Sequence, residues 1–138
     1  MIKINLDGST HPKYKISVGC FVIKQDETTI VETFPLDAED NHTAEFQTLL
    51  TTLEYCLDNQ LHNELIFIYS DSKIVVNSFN KHYVKNAEFE IYLEKILSLS
   101  SEFPLLSIEW IPENQNKQAD HHAKRALQKE LKNTNNKK

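Results

Sequence analysis

Glycine and cysteine are scarce in this chain, with two residues of each among 138. The cysteines, Cys20 and Cys56, belong to no CxxC motif and have no histidine at a ligand spacing. A disulfide framework or a zinc site would need such partners, so the sequence argues against both. Two free buried thiols suit a reducing compartment.

Long hydrophobic runs are absent too, and none reaches the length needed to cross a bilayer. The chain opens on a strand-like stretch, without the pattern of a signal peptide. We therefore expect a cytoplasmic protein without membrane contact, and no motif indicates an obligate protein partner. With 40% hydrophobic and 25% charged residues, a chain of 138 residues fits one globular domain. We place it at residues 1–132 and expect a disordered polar tail at 133–138.

Positive charge is the third shortage, because the formal net charge is −5 and Arg125 is the only arginine. Contacts from Lys and Arg to phosphates dominate affinity for nucleic acids, so this composition predicts weak, salt-sensitive binding of a polyanion. The basic side chains fall into a middle group and a group on the last helix, and the second is either a solvated face or a phosphate track. The groups are Lys73, Lys81, Lys85 and Lys95, and Lys117, Lys124, Arg125, Lys129 and Lys132.

Four carboxylates, each in a short motif of its own, stand out against this background. They are Asp7 in Leu6-Asp7-Gly8-Ser9, Glu45 in Thr43-Ala44-Glu45-Phe46, Asp71 in Tyr69-Ser70-Asp71-Ser72, and Asp120 in Asn116-Lys117-Gln118-Ala119-Asp120. The surrounding patterns place two of them at the ends of apolar strands and two in the first turns of amphipathic helices. One compact fold could therefore gather all four, although each alone reads as a turn, cap or helix-dipole residue.

Gathered carboxylates raise one another's pKa and need a compensating cation to stay ionised. Mg²⁺ prefers oxygen ligands, and a pair of such ions can hold both the attacking and the leaving oxygen of a phosphodiester. Two divalent ions would add four positive charges and bring the formal charge from −5 to −1. The four motifs together predict metal-dependent cleavage of a nucleic acid.

Apolar periodicity predicts an α/β domain that starts with an antiparallel meander of three strands. These strands span residues 2–6, 15–24 and 28–35. A helix then begins with Asn41 or Thr43 as its cap, which puts Glu45 in its first turn.

The second half of the chain predicts a strand buried on both faces at residues 65–69, which ends directly before Ser70 and Asp71. Two helices, a strand and a last helix follow, and Asn116 can cap that last helix. The two helices and the strand span about 73–80, 89–101 and 106–110. We expect Trp110, at the end of the last strand, to belong to the core.

In this order and on these elements, the motifs resemble the type 1 ribonuclease H family, in particular its short reverse-transcriptase-like members. The resemblance rests on Asp7-Gly8-Ser9, Ala44-Glu45, Ser70-Asp71-Ser72 with Val75-Val76-Asn77, Trp110-Ile111-Pro112, Asn116 and Ala119-Asp120. It implies a ribonuclease H-like five-stranded mixed sheet of strand order 3-2-1-4-5, flanked by helices. It also implies an endonuclease that cuts the RNA strand of an RNA/DNA hybrid with two Mg²⁺ or Mn²⁺ ions and leaves a 5′ phosphate.

The same resemblance implies roles for individual residues. Asp7, Asp71 and Asp120 would hold the ion that activates water, while Asp7 and Glu45 would hold the ion at the departing 3′ oxygen. The implied substrate-binding residues are Gly8, Ser9, Asn41, His42, Thr43, Ser72, Asn77, Lys85 and Asn116. His121 and His122 are either proton carriers or solvated surface residues.

Several family features are missing or changed. No glycine-rich stretch follows Ser9, no histidine-bearing loop precedes Asp120, and Glu113 stands where short members often have arginine. A basic protrusion and a separate hybrid-binding domain are also missing. Two alternatives stay open: a catalytically weak or silent ribonuclease H-like protein that binds nucleic acid, and another nuclease of the same superfold, such as an exonuclease or a junction resolvase. Proofreading-type exonucleases carry Asp-x-Glu on the first strand, which Asp7-Gly8-Ser9 does not match.

Overall fold

The computed structural model describes residues 1–136, which form five strands and four α-helices. The strands are β1 (Ile2–Thr10), β2 (Ser17–Gln25), β3 (Thr28–Leu36), β4 (Ile66–Ser70) and β5 (Leu106–Trp110). The helices are α1 (Asn41–Asp58), α2 (Lys73–Lys81), α3 (Ala87–Ser100) and α4 (Lys117–Asn136), and a 3₁₀ turn at Glu113–Gln115 precedes α4.

The strands form one mixed sheet in the order β3-β2-β1-β4-β5. The first three are antiparallel neighbours, whereas β4 runs parallel to both β1 and β5. This confirms the α/β fold class and the strand order that the resemblance implied.

Both faces of the sheet are covered by helices because apolar side chains alternate along the central strands. Phe21 and Ile23 of β2 belong to the large core that includes α1 and α3. Cys20 and Val22 point to the other face, where they pack on Ala119 and Ala123 of α4. These two alanines belong to the buried face of α4.

The only two glycines are cross-strand partners, Gly8 on β1 and Gly19 on β2. A Cβ atom on Gly19 would overlap the ring of Phe34 and lie 2.6 Å from Thr48 Oγ1. A Cβ atom on Gly8 would lie 3.1 Å from the backbone carbonyl of Ala44. The glycines therefore let the first turns of α1 approach the sheet closely, and Glu45 lies on those turns.

Three sequence-based boundaries were wrong in informative ways. Strand β1 continues to Thr10, so Asp7 lies within the strand rather than at its end. The N-cap of α1 is Asp40, whose carboxylate accepts the backbone N–H of Thr43 at 2.8 Å. Glu45 consequently lies in the second turn of α1. Strand β2 starts at Ser17 because Lys15, with φ of 56°, belongs to the preceding turn.

The C-terminal segment and Trp110 also differ from expectation. Helix α4 continues to Asn136, so residues 133–136 are helical rather than a disordered tail, and 137–138 lie outside the described residues. Trp110 is 42% exposed and is not part of the core. Among the described residues, no helix combines the length and apolarity required to cross a membrane.

Candidate active site

The register of the parallel strands brings the first two carboxylates together. Leu6 of β1 pairs with Ser70 of β4. The residues that follow them, Asp7 and Asp71, are therefore neighbours at the C-terminal end of β4. Leu6 faces α1, and alternation directs Asp7 to the opposite face, on which α4 packs. Strand pairing alone therefore sets two aspartates side by side.

Helices supply the other two carboxylates. Glu45 comes from α1, and Asp120 lies in the first turn of α4. All four carboxylates line one cleft of about 290 Å³, together with Gly8, Ser9, Asn41 and Glu113. No lysine, arginine or histidine is among these described lining residues. The structure thus gathers the four predicted residues and adds a fifth acid.

This crowding perturbs the acids strongly. Burial, and then the charges of Asp71, Asp120 and Glu45, raise the pKa of Asp7 from 3.8 to about 8. Burial also raises the pKa of Asp71, although a hydrogen bond from Asn116 opposes it. The pKa of Glu45 is raised by burial against the opposing contact with His42. Acids perturbed in this way mark a place where positive charge is lacking.

Two of the carboxylates have partners at the rim of the cleft. His42 Nδ1 lies 3.1 Å from Glu45 Oε1, and Lys124 Nζ lies 3.0 Å from Asp120 Oδ2. Throughout residues 1–136, no three His, Cys, Asp or Glu side chains are arranged so that they could hold one ion together. A divalent ion in this cleft would therefore have to compete with these partners for Glu45 and Asp120.

Asn116 fastens the start of α4 to β1. Its side chain is buried, donates from Nδ2 to the Leu6 carbonyl at 2.7 Å, and accepts at Oδ1 from Asn5 at 3.0 Å. The same amide lies beside Asp71, whose pKa it lowers against the effect of burial, and the backbone carbonyl of Asn116 accepts from the Asp120 N–H. The contact keeps the helix that bears Asp120 against the strand that bears Asp7.

Trp110 is a site neighbour that sequence reasoning placed in the core. Its indole Nε1 donates to the backbone carbonyl of Asp71 at 3.1 Å, and Lys73 Nζ lies 4.9 Å from the centroid of its ring. Trp110 pairs with Ser70 across the parallel β4–β5 ladder. Aligning the ends of these two predicted parallel strands could have revealed this proximity from the sequence.

The residues suggested for substrate binding have different surroundings. Gly8, Ser9 and Asn41 line the carboxylate cleft. Ser72 is buried, accepts the Val75 N–H as the N-cap of α2, and lowers the pKa of Glu45 against the effect of burial. The Thr43 hydroxyl donates to Asp40 at 2.6 Å.

The remaining candidates lie away from the cleft lining. Asn77 and Lys85 are exposed, on α2 and between α2 and α3. His121 is exposed, and His122 lines a separate depression with Arg125. None of these four side chains lines the carboxylate cleft.

Comparison with known proteins adds a family and a fold. A family model described as "Reverse transcriptase-like" matches residues 5–126. A protein of Enterococcus faecalis (strain ATCC 700802 / V583), named "Putative hydrolase EbsB", is 40% identical over 129 residues, covering 94% of this chain and 96% of that protein.

Solved structures match over nearly their full length. The RNase H1 of Halobacterium salinarum NRC-1 has a TM-score of 0.82 at 20% identity, covering 93% of this chain and 98% of that chain. The N-terminal RNase H domain of Rv2228c from Mycobacterium tuberculosis gives 0.83 at 21% identity, covering 96% and 97%. LC11-RNase H1, solved in complex with an RNA/DNA hybrid, gives 0.84 at 23% identity, covering 95% and 99%. At these identities the likeness shows a shared fold.

Proposed function

The chain belongs to the reverse transcriptase-like family of type 1 ribonucleases H, and from that premise we propose that it hydrolyses the RNA strand of RNA/DNA hybrids with divalent metal ions. The observation that carries the proposal is the cleft in which Asp7, Glu45, Asp71 and Asp120 meet. A structural neighbour with an RNA/DNA hybrid bound supports the choice of substrate.

The chemistry of the four side chains fits two Mg²⁺ or Mn²⁺ ions. All donors are carboxylate oxygens, which these hard cations prefer, and the raised pKa of Asp7, at about 8, reflects burial beside three other acids. Asp7, Asp71 and Asp120 would hold one ion, and Asp7 and Glu45 the other. The side chains would have to turn toward the ions, because no three of them surround a single point in the described residues. The bound ions would lower the pKa of a bound water and would offset the charge on the departing 3′ oxygen.

The protein itself orients these groups and supplies no nucleophile. Trp110 fixes the backbone at Asp71, and Asn116 fixes β1 next to Asp7. Cys20, paired with Asp7, is no alternative nucleophile, because burial and the Asp7 charge raise the pKa of its thiol to about 12. Direct attack by water on phosphorus would form a new P–O bond and break the P–O3′ bond without a covalent enzyme intermediate, which leaves a 5′ phosphate and a 3′ hydroxyl. Two buried free thiols suit a cytoplasmic enzyme.

Recognition of the RNA strand would come from short polar groups at the rim. Ser9 and Asn41 line the cleft beside the carboxylates and can exchange hydrogen bonds with 2′-hydroxyl groups. These contacts are weaker than ion pairs with phosphate. We therefore expect specificity for RNA in a hybrid together with modest affinity.

One observation favours a second candidate, a protein that binds hybrids and cuts them slowly or not at all. Glu113 lines the cleft, adds to the charges that raise the pKa of Asp71, and would repel a phosphate. The intact set of four carboxylates favours catalysis instead.

Cleavage of a labelled hybrid by purified variants separates the two candidates. Mutation of a residue that only supports a metal ligand lowers activity roughly 10-fold to 100-fold. Loss of a ligand itself, in Asp7→Asn or Asp71→Asn, should therefore lower the cleavage rate by more than about 100-fold. Asp58→Asn, at the exposed end of α1, is the matched control and should cut like the wild type. Binding of the hybrid by the wild type without cleavage in Mg²⁺ or Mn²⁺ would favour the second candidate.

A further inference from the structure

A depression of about 460 Å³ lies between α4 and the edge strand β3, away from the carboxylates. It is lined by Thr33, His122, Arg125, Ala126, Gln128, Lys129 and Lys132. We call its four basic residues, His122, Arg125, Lys129 and Lys132, the α4 stripe. They are spaced by three, four and three residues, so they share one face of the helix.

The α4 stripe is basic, whereas the cleft is acidic. No Asp or Glu is among the described residues that line the depression, although the whole chain has a net charge of −5. In the part of the chain that the structure describes, the ion pairs are His42–Glu45 and Lys124–Asp120. Arg125, Lys129 and Lys132 therefore form no ion pair among the described residues, and the nearest acid along the helix, Glu130, lines an adjoining depression with Lys129.

Packing does not explain this arrangement. The buried face of α4 consists of Ala119, Ala123 and Leu127, whereas Arg125 and Lys129 are exposed. The arginine matters because its planar guanidinium can bind phosphate in a bidentate way, and the chain has only this one.

The position of the α4 stripe suits a substrate that extends beyond the cleft. The same helix carries Asp120, and Arg125 and Lys132 follow it by about 7.5 Å and 18 Å along the axis, at 1.5 Å per residue. At about 100° per residue these two side chains are also turned by about 140° and 120° around the axis, so the α4 stripe faces β3 rather than the cleft. Double-stranded nucleic acid presents about one charge per 1.7 Å. A duplex that leaves the cleft and crosses over α4 toward β3 would therefore bring phosphates to the stripe.

We propose that the α4 stripe binds the sugar-phosphate backbone of the hybrid to one side of the cleavage site, which rests on the proposed function. The contact supplies the affinity that the acidic cleft cannot. It would carry no sequence preference, because phosphates are the same at every step.

The test is binding of a labelled RNA/DNA hybrid to Asp71→Asn protein, which leaves the substrate uncut, over a range of salt concentrations. The test variant adds Arg125→Gln and Lys129→Gln. The matched control adds Lys3→Gln and Lys95→Gln, two exposed lysines elsewhere that change the net charge equally. Each lost phosphate contact lowers the slope of log K against log salt by about 0.9, so the test variant should lose about 2 and the control close to none.

Length of the hybrid provides a second comparison. A hybrid too short to leave the cleft should bind the test variant and the control equally, whereas a long hybrid should discriminate between them. Equal slopes of log K against log salt for the test variant and the control on the long hybrid would overturn the proposal. The α4 stripe would then be only a solvated helix face. Loss of affinity for inorganic phosphate but not for the hybrid would also overturn it, because the depression would then take a free anion.

Failure of this inference can be told apart from failure of the proposed function. If wild-type protein cuts the hybrid and the slopes agree, only the α4 stripe is refuted. If no hybrid is cut but the slopes differ by about 2, the stripe stands and the nuclease does not. Should the double substitution unfold the protein, Lys129→Gln alone tests the same contact, with an expected slope change of about 1.

Discussion

At the scale of single residues, Asp7 is the group most altered by its surroundings. It is surrounded by three other acids, pairs across the sheet with Cys20, and neighbours Asp71 through the parallel register. Its position is set by strand pairing rather than by a flexible loop. The same rigidity that would fix a metal ligand keeps the charges close together when no cation offsets them.

The raised pKa of Asp7 predicts a pH-dependent stability in metal-free protein. Its pKa is about 8 in the folded chain against an ordinary 3.8, so between these values the folded chain holds a proton that the unfolded chain has lost. The free energy of unfolding should therefore fall as pH rises through this window, by up to about 1.4 kcal/mol per pH unit from this group.

Asp7→Asn should remove that slope and stabilise the metal-free protein most near pH 8. Urea unfolding in excess chelator at several pH values measures it, with Asp58→Asn as the control. Parallel curves for wild type and Asp7→Asn would show that Asp7 ionises normally.

Trp110 provides a second prediction at this scale. Trp110→Phe removes the N–H that bonds to the Asp71 carbonyl but keeps a ring next to Lys73. A hydrogen bond of about 1 kcal/mol corresponds to a fall of about fivefold in kcat if it holds Asp71 in its reactive position. Lys73→Met keeps the N–H bond and is the control, with kcat close to that of wild type. Steady-state cleavage separates kcat from KM, and an unchanged kcat in Trp110→Phe would refute this role.

At the scale of elements, the contact between α1 and the sheet depends on the paired glycines. Thr48 of α1 lies above both, and Glu45 lies one turn before it. Larger residues at these positions would separate helix and sheet. The same contact therefore serves both the core and the placement of a site carboxylate.

Replacing each glycine with alanine should separate the effect on core packing from the effect on the placement of Glu45. Gly19→Ala should lower the free energy of unfolding by about 1–3 kcal/mol, because its Cβ overlaps the Phe34 ring. Gly8→Ala makes looser contacts, at 3.1 Å, and should reduce cleavage more than stability because it displaces the turn that bears Glu45. Chemical denaturation and cleavage rates measure the two effects. A Gly19→Ala protein within about 0.5 kcal/mol of wild type would contradict this packing.

The elements show what the sequence could and could not predict. Period-2 and helical patterns identify every strand and helix, because they reflect which faces are buried. The cap at Asp40 was missed since Asn41 and Thr43 are equally good capping residues. The pairing of Gly8 with Gly19 depends on register, and the helical end of α4 has no apolar residue to signal it.

At the scale of the whole molecule, charge is divided between an acidic cleft at one end of β1 and the basic α4 stripe. The four carboxylates were predictable because each lies in a short motif beside a patterned element, although Asp7 lies within β1 and Glu45 in the second turn of α1. The exposed position of Trp110 beside Asp71 was not predictable, since a tryptophan in a strand normally packs in the core. The surroundings of His122 depend on where β3 ends up beside α4, which requires the tertiary fold.

Metal binding should stabilise the whole molecule. Ions that bind only the folded state raise the free energy of unfolding by about 2.7 kcal/mol at a concentration 100 times Kd. Mg²⁺ or Mn²⁺ should therefore raise the Tm of the wild type, and Asp71→Asn should lose most of this rise. A melting experiment with and without metal measures it. The same rise in Asp71→Asn would place the ions elsewhere.

The most direct test is cleavage of an RNA/DNA hybrid with each strand labelled in turn, in Mn²⁺, in Mg²⁺ and in excess chelator. We expect the wild type to cut the RNA strand alone, only with metal, and to leave 5′ phosphates on the products. Matched DNA duplex and RNA duplex should remain intact. Cleavage of the DNA strand, or undiminished cutting in chelator, would contradict a metal-dependent hybrid nuclease built on these four carboxylates.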